Sequence, residues 1–223
     1  MQRPLRIVLA TGNPHKVEEL RAILSHVAGV EVVGLGDCGV TTHEPAETGA
    51  DFDENCAIKA RSYAQQVGAM CLADDSGLEV DALAGRPGVI SSHYATDGKE
   101  TGATRDQRDA ANNARVLREL EGVAAEKRSA RFVCVMKLAV PGGKVLHTSK
   151  GTFEGRIGLP PAVPRGANGF GYDPLFLVAP DFTRTGAELP PAEKNARSHR
   201  AQAASAMAAW VQSHIGELLA LHK

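Results

Sequence analysis

The feature that most constrains the fold is an apolar run at residues 70–73 that leads directly into two adjacent carboxylates, Asp74 and Asp75. A short apolar run that ends at a turn signal is typical of a buried strand in an α/β sheet. Ligands of such sheets collect beyond the carboxyl ends of the strands. Adjacent carboxylates repel each other there unless one is protonated or a cation lies between them. The stretch therefore predicts a strand that ends at the acidic pair, followed either by a divalent-metal site or by an ordinary turn through Ser76 and Gly77.

The overall composition excludes several classes of protein. With 223 residues, of which 43% are apolar, the chain can form one large α/β domain or two small ones, and we expect a single domain over residues 1–223. The 25 basic and 26 acidic residues give a net charge of -1, which argues against a protein that coats long nucleic acid. Four separated cysteines and the lack of a long apolar segment predict reduced thiols, no membrane partner and a cytoplasmic location.

The first strand and helix predict an anion site. A short apolar run, residues 6–10, leads through a glycine-containing turn into a helical pattern that Asn13 can cap and Pro14 can open. The free N–H groups and positive dipole end of such a helix bind anions. Lys16 lies in the first helical turn, where the dipole disfavours a cation, so a bound phosphate explains its position better than helix stability does. The alternative is an ordinary strand-to-helix turn.

A long polar loop, residues 36–50, follows a second strand pattern at residues 31–35 and contains Glu47. Loops of this length in compact domains are usually functional. The next helical pattern, residues 51–66, places Lys59 on its apolar stripe. The long side chain of Lys59 either extends to water or presents its ammonium to a site above the sheet, where phosphate or Glu47 would neutralise it. The sequence leaves both interpretations open.

The second half of the chain predicts that the sheet is mixed rather than purely parallel. Residues 131–140 and 144–153 are two β-rich runs, and the Pro-Gly-Gly sequence that joins them is a hairpin signal. Before them, Thr104 and Gln107 have the spacing of a capping box at a helix start. We therefore expect an α/β fold with a long mixed β-sheet flanked by helices.

A loop rich in glycine and proline, residues 151–171, runs into the sequence Gly-Phe-Gly-Tyr-Asp-Pro. Glycine lets the backbone approach a flat ligand closely, and an aromatic ring can stack on such a ligand. Phe170 or Tyr172 would do so here. The alternative is that both rings simply pack against the edge of the sheet.

The last helical pattern, residues 199–221, is expected to form one helix capped by Ser198. Its first turn carries His199 and Arg200, cations at the end where the helix dipole disfavours them, as at Lys16. Two such helix starts indicate one shared anion. A solvated basic turn is the alternative.

Four segments, taken together, resemble a known family. They are TGNxxK at residues 11–16, ETG followed by Asn55-Cys56-Ala57 and Lys59-Ala60, ADDSGLEVDAL at residues 73–83, and GFGYDP followed by EKNxxSHR. In this order they extend over nearly the whole chain and resemble the noncanonical purine nucleoside triphosphate pyrophosphatases, also called inosine/xanthosine triphosphatases. One departure lies beside a motif, where Asn168 replaces a frequent glycine.

The resemblance implies a Mg²⁺-dependent enzyme that hydrolyses ITP, dITP and XTP to the nucleoside monophosphate and pyrophosphate, and so cleanses the nucleotide pool. It further implies a homodimer whose subunits have two lobes around a central nucleotide-binding cleft. By motif, Asp75 would accept the proton and bind the metal together with Glu47, and Asp74 is an alternative ligand. The substrate-binding positions implied are Thr11, Gly12, Asn13, Lys16, Lys59, Ser76, Phe170, Gly171, Tyr172, Asp173, Lys194, His199 and Arg200.

Selectivity would have to come from the base, because every nucleotide carries the same triphosphate. A buried donor to the 6-oxo group, either Arg200 or backbone N–H groups near Phe170 and His199, would be left unpaired by adenine. Two rival functions remain at this point. One is a nucleotide sensor without catalysis, which has no need for Glu47 together with the two aspartates. The other is a related pyrophosphatase of pyrimidine or methylated nucleotides.

Overall fold

The computed structural model describes residues 4–221, which contain a six-stranded sheet in the order β2-β1-β3-β4-β5-β6. Strand β1 pairs in parallel with β2 and β3, whereas β5 and β6 are antiparallel. The mixed α/β sheet predicted from the sequence is therefore confirmed. The strands are β1 (Leu5–Leu9), β2 (Val30–Gly34), β3 (Cys71–Val80), β4 (Ser129–Ala139), β5 (Val145–Ile157) and β6 (Phe176–Val178).

The helices begin at the residues that capping rules favour. The helix α1 starts at Pro14, and Thr104 and Gln107 form the expected capping box of α3. Among residues 4–221, no helix combines the length and apolar composition needed to cross a bilayer. The helices are α1 (Pro14–Leu24), α2 (Phe52–Val67), α3 (Arg105–Glu119), α4 (Pro191–Arg197), α5 (His199–Ser213) and α6 (Ile215–Leu221).

The chain forms two compact units, each with its own apolar core. The first unit contains the residues up to Asp75, Cys134–Gly151 and the residues from Arg200 onward, and the second contains Ser76–Val133 and Thr152–His199. Leu5, Leu20 and Met136 belong to the core of the first unit, and Leu78, Tyr94 and Phe176 to that of the second. Two of the four boundaries between the units fall inside motifs, after Asp75 and after His199.

Several predicted boundaries are wrong. The loop expected over residues 151–171 begins later, because β5 pairs with β6 and continues to Ile157. Strand β3 does not end at the acidic pair but continues through Asp74 and Asp75 to Val80. Ser76 and Gly77 lie inside this strand, and the glycine permits a close contact rather than a turn. A Cβ on Gly77 would overlap the hydroxyl of Ser91, which accepts a hydrogen bond from the N–H of Leu78.

The predicted helix over residues 199–221 is in fact two helices, α5 and α6, which are separated at His214. The ring Nδ1 of His214 lies 2.9 Å from the carbonyl oxygen of Trp210, and its ring stacks on the Trp210 indole. The side chain therefore shares a carbonyl that a regular helix would reserve for the backbone N–H alone. Nothing in the 3.6-residue pattern signals this competition.

Candidate active site

An acid–lysine cluster, consisting of Glu47, Lys59 and Asp75, lies in the first unit. The Lys59 Nζ on α2 is 2.9 Å from Glu47 Oε1 and 2.8 Å from Asp75 Oδ1. The Lys59 side chain is only 12% exposed. Of the two interpretations of this lysine, the structure shows the one in which its ammonium faces carboxylates rather than water.

The loop that carries Glu47 is fastened to α2 on both sides of the glutamate. The Gln66 amide bonds both the N–H and the carbonyl of His43, at 2.7 and 2.9 Å. Asn55 Oδ1 accepts from the N–H of Gly49 at 2.7 Å. A Cβ at Gly49 would lie 2.6 Å from the Glu54 Cβ, so only glycine fits there. The loop is thus held by hydrogen bonds to its backbone, which leaves the Glu47 carboxylate for Lys59.

Burial affects the two partners of the central ion pair differently. Burial raises the pKa of Asp75 to about 6, because the attraction of Lys59 is partly cancelled by the nearby Glu47 charge. Burial opposes the charge of Lys59 as well, but two carboxylates face it and its pKa is raised above the ordinary value. Asp75 is therefore mostly ionised at neutral pH and close to the range in which a carboxylate can accept a proton.

The neighbouring Asp74 has a different environment, although it is one residue away on the same strand. Its Oδ2 lies 2.9 Å from Lys16 Nζ and 3.6 Å from Arg200 Nε, and its side chain is fully buried. Burial alone would raise the pKa of Asp74, but Lys16 and Arg200 outweigh it and hold that pKa well below its usual range. Arg200 also contacts Glu19 of α1 at 2.6 Å. Asp74 thus serves as a permanent anion that holds two cations.

The donor set of the cluster fits Mg²⁺. Among the described residues, no group of three or more His, Cys, Asp and Glu side chains forms a metal site complete in itself. Mg²⁺ needs no such group, because it usually takes one or two carboxylates and completes its shell with water and phosphate oxygens. Glu47 and Asp75 both contact one ammonium, so their carboxylates are close enough to serve one cation. The buried Asp75 Oδ2 has no hydrogen-bond partner within residues 4–221.

The turn of residues 11–13 lies directly before α1, the helix that carries Lys16 in its first turn. Thr11 Oγ1 accepts from the N–H of Asn13 at 3.2 Å and so fixes the turn. Gly12 is exposed, and no heavy atom outside its neighbours lies within 4 Å of where its Cβ would be. Ser76 follows Asp75 on β3 and is partly exposed. These positions are compatible with the predicted phosphate contacts.

The second unit contains a glycine loop, residues 168–173, in which Phe170 is partly exposed. The Lys194 Nζ lies 5.3 Å and the Arg105 guanidinium carbon 4.6 Å from the centre of the Phe170 ring. The buried Asp173 Oδ2 accepts from the Phe170 N–H at 2.9 Å and contacts Lys194 Nζ at 2.5 Å. A Cβ on Gly169 would overlap that same Asp173 oxygen. Asp173 therefore acts on the loop itself and holds both Phe170 and Lys194.

Tyr172 and His199 are buried in the second unit. Tyr172 is 4% exposed, and its hydroxyl donates to the carbonyl of Ser91 at 2.6 Å. Burial raises the pKa of Tyr172 far above its ordinary value. The His199 ring stacks on Phe132 with a centroid distance of 5.1 Å. Of the two aromatics in the motif, Tyr172 packs inside the unit, and Phe170 is the ring accessible to a base.

Comparison with known proteins identifies the family of the chain. A sequence model of the Ham1 family matches residues 7–210. The chain belongs to the Ham1 family. A dITP/XTP pyrophosphatase of Exiguobacterium sibiricum is 45% identical over 96% of this chain and 100% of the relative. One of Nitratidesulfovibrio vulgaris is 49% identical over 88% of this chain and 91% of the relative.

Solved structures of the Ham1 family agree with this fold. A HAM1 protein from Coxiella burnetii matches with a TM-score of 0.79 and 41% identity, covering 94% of this chain and 99% of the other. A nucleoside-triphosphatase, dITP/XTP pyrophosphatase, from Mycobacterium abscessus matches with a TM-score of 0.70 and 42% identity, covering 91% and 98%. The resemblance found from the four motifs is thus confirmed at the level of the family.

Sequence reasoning missed residues that the structure places around the Ham1 motifs. Arg105 is the first residue of α3, a cation at a helix N-terminus, so the signal that drew attention to Lys16 was present there too. Glu19, the partner of Arg200, had no such signal. Asp109 and Asn113 of α3, which contact the glycine loop, are ordinary polar helix residues in the sequence.

Proposed function

We propose that this chain is a Mg²⁺-dependent pyrophosphatase that hydrolyses noncanonical purine nucleoside triphosphates, namely ITP, dITP and XTP, to the monophosphate and pyrophosphate. The observation that carries the proposal is the buried Lys59 ammonium between Glu47 and Asp75, in a chain whose relatives are named dITP/XTP pyrophosphatases. A sensor without catalysis would not need these two carboxylates beside each other. The names of the relatives also favour purine over pyrimidine substrates.

The triphosphate would be bound by the first unit. Lys16 and Lys59 supply point charges, and the N-terminus of α1 supplies backbone N–H groups and a positive dipole end. Each lysine is held by a carboxylate, Asp74 or Asp75, and so it is oriented before the substrate arrives. Preorganised charges of this kind are commonly worth about 3–4 kcal/mol each in transition-state stabilisation.

Asp75 would accept the proton of the water that attacks the α-phosphorus. Its pKa of about 6 leaves it ionised at neutral pH but basic enough to take a proton. Bound Mg²⁺, held by Glu47 and Asp75, would supply charge neutralisation and polarise the phosphate oxygens. Asp74, already paired with Lys16 and Arg200, would keep both cations in place without reacting.

The purine would be recognised by the glycine loop and by Arg200. The N–H groups of Phe170 and Gly171 are already bonded to Asp173 and Asp109, so they are not the donors to the 6-oxo group. The loop then offers the Phe170 ring for stacking, together with the Lys194 ammonium. Arg200 remains the proposed donor that adenine would leave unpaired, and a site built to donate can reject the wrong partner by about 10⁴-fold.

The test is pyrophosphate release from ITP, XTP, dITP, dGTP, dTTP and ATP with and without Mg²⁺. Turnover of the first three with Mg²⁺, and little turnover of the rest, supports the proposal. Turnover of none would leave the sensor, and preference for dTTP would leave the pyrimidine enzyme. We also propose a cytoplasmic homodimer, for which light scattering at micromolar concentration should give twice the 23.5 kDa chain mass.

A further inference from the structure

Side chains of helix α3 form hydrogen bonds with both backbone groups of one residue of the glycine loop, Gly171. The N–H of Gly171 donates to Asp109 Oδ2 at 2.8 Å, and the carbonyl of Gly171 accepts from Asn113 Nδ2 at 3.1 Å. Asp109 and Asn113 are four residues apart, so they lie one above the other on the same face of α3. A single residue that is held at both polar groups has little freedom to shift, and it directly follows Phe170.

The contacts on either side of Gly171 lead back to the same helix. The Tyr172 hydroxyl bonds the carbonyl of Ser91. That carbonyl also accepts from Asn112 Nδ2 at 3.2 Å, and Asn112 Oδ1 accepts from Ala95 at 2.7 Å. Asn112 and Asn113 therefore have different roles. Asn112 fixes the segment around Ser91 and Ala95, to which Tyr172 is bonded, and Asn113 fixes the glycine loop itself.

The Asn113 amide has no other fixed task among the described residues. Its Oδ1 is buried and makes no hydrogen bond within residues 4–221, so the bond to Gly171 is what its side chain contributes. Asp109 does have a second contact, because the Arg105 Nε lies 4.0 Å from its Oδ2. The Arg105 guanidinium carbon in turn lies 4.6 Å from the centre of the Phe170 ring. Both residues thus act on Phe170 through the backbone next to it or through its cation neighbour.

We propose that Asp109 and Asn113 are positioning residues that fix the Phe170 ring for recognition of the base. This inference rests on the proposed function, in which Phe170 stacks on the purine. Asp109 and Asn113 belong to the second unit, whereas the acid–lysine cluster and Lys16 belong to the first. Loss of Asp109 or Asn113 therefore weakens binding of the base and leaves phosphate binding and the chemical step intact.

The experiment measures kcat and KM for ITP, and inhibition by inorganic tripolyphosphate, in Asn113→Ala and Asp109→Ala. Loss of one such hydrogen bond should raise KM for ITP by about 10-fold, while kcat and tripolyphosphate inhibition change by less than about 2-fold. Asp109→Asn keeps an oxygen acceptor for Gly171 and should restore KM to within about 2-fold of the original chain. Arg118→Ala, at an exposed position of the same helix, is the matched control and should change nothing.

A double variant separates positioning from general loss of stability. In a Phe170→Ala background, Asn113→Ala should raise KM by less than about 2-fold, because the ring that it positions is gone. An equal rise in both backgrounds, a parallel fall of kcat and tripolyphosphate binding, or no change in Asn113→Ala would overturn the inference. If a variant does not fold by circular dichroism, the Asp109→Ala and Asp109→Asn pair decides.

The inference and the proposed function can fail separately. If the original chain hydrolyses ITP but the variants match it, the positioning role alone is wrong. If the original chain binds ITP in calorimetry without turnover, the proposed function is wrong, and the same fold-changes are sought in Kd. If it neither binds nor hydrolyses a purine triphosphate, both are wrong.

Discussion

The acid–lysine cluster and the glycine loop hold their functional groups by different means. In the cluster, one ammonium contacts two carboxylates, and burial strengthens this attraction because little water screens it. In the loop, hydrogen bonds to the backbone hold Phe170 and Gly171, and the Phe170 ring is left partly exposed. All nucleoside triphosphates present the same charge, whereas their bases differ. Damage to the cluster should therefore slow every substrate alike, and damage to the loop should change which substrate is preferred.

The largest effect is expected from Asp75→Asn, which removes the proton acceptor and a metal-binding oxygen but keeps the size of the side chain. We expect kcat for every substrate to fall by about 10⁴-fold, the upper range for a general base. Because burial raises the pKa of Asp75, its charge at pH 7 opposes folding. The Tm should then stay the same or rise, as measured by calorimetry beside pyrophosphate release.

The adjacent substitution Asp74→Asn is the matched control. It would leave Lys16 and Arg200 without the buried anion that they face, and breaking a buried pair costs about 3–5 kcal/mol of unfolding free energy. A lowered Tm for Asp75→Asn together with an unchanged one for Asp74→Asn would reverse the roles of the two aspartates. Unchanged kcat in Asp75→Asn would remove it from the mechanism.

The second effect is that of Lys59→Met, which keeps the apolar stem and removes the charge. We expect kcat to fall by about 10²–10³-fold, with the ratio of ITP to ATP activity unaltered. Lys137→Met is the control, since that lysine is also buried and its Nζ lies 2.8 Å from Asp53 and 3.0 Å from the Thr148 hydroxyl. An equal loss of kcat in both variants, or a change in substrate preference, would contradict a phosphate role for Lys59.

The two regions also differ in how far the sequence could predict them. The acid–lysine cluster and the nearby Lys16 could be predicted, because Lys16 and Lys59 occupy positions that helix stability does not explain. The sequence could not predict that Asp74 pairs with Lys16 and Asp75 with Lys59. Adjacent residues on a strand point to opposite faces, and only the fold decides which side chains lie on each face. The hydrogen bonds from α3 to Gly171 could not be predicted from the sequence either. Asp109 and Asn113 are ordinary polar residues of a helix, and only the fold shows that the loop lies against them.

Variants of Arg200 would show whether this residue contacts the base or the phosphates. Its side chain is 3% exposed, and its guanidinium contacts Glu19 and Asp74. If it also donates to the 6-oxo group, Arg200→Ala should lower the preference for ITP over ATP by about 10- to 100-fold, the value of a hydrogen bond from a charged donor. Inhibition by pyrophosphate should change less.

The decisive comparison for Arg200 is between ligands, because the variant also disturbs buried ion pairs. Equal losses of affinity for ITP, ATP and pyrophosphate would show that Arg200 contacts the phosphate groups rather than the base. Arg200→Lys keeps a cation near Asp74 and is the second variant if Arg200→Ala does not fold. It lacks the planar fork of donors, so it should keep the stability better than the selectivity.

The smallest effect is expected from Gly169→Ala in the glycine loop. The new Cβ would overlap Asp173 Oδ2 and lie 3.0 Å from Lys194 Nζ, so this ion pair, which contacts Phe170, must shift. We expect KM for ITP to rise by about 5- to 10-fold, with inhibition by tripolyphosphate unchanged.

Gly122→Ala is the control, because Gly122 has the same φ of +75° and open space around its Cβ position. It should show the strain of about 1–2 kcal/mol in unfolding free energy and no change in KM. If both variants raise KM equally, backbone strain rather than the Asp173–Lys194 contact accounts for the effect, and the loop does not recognise the base through that pair.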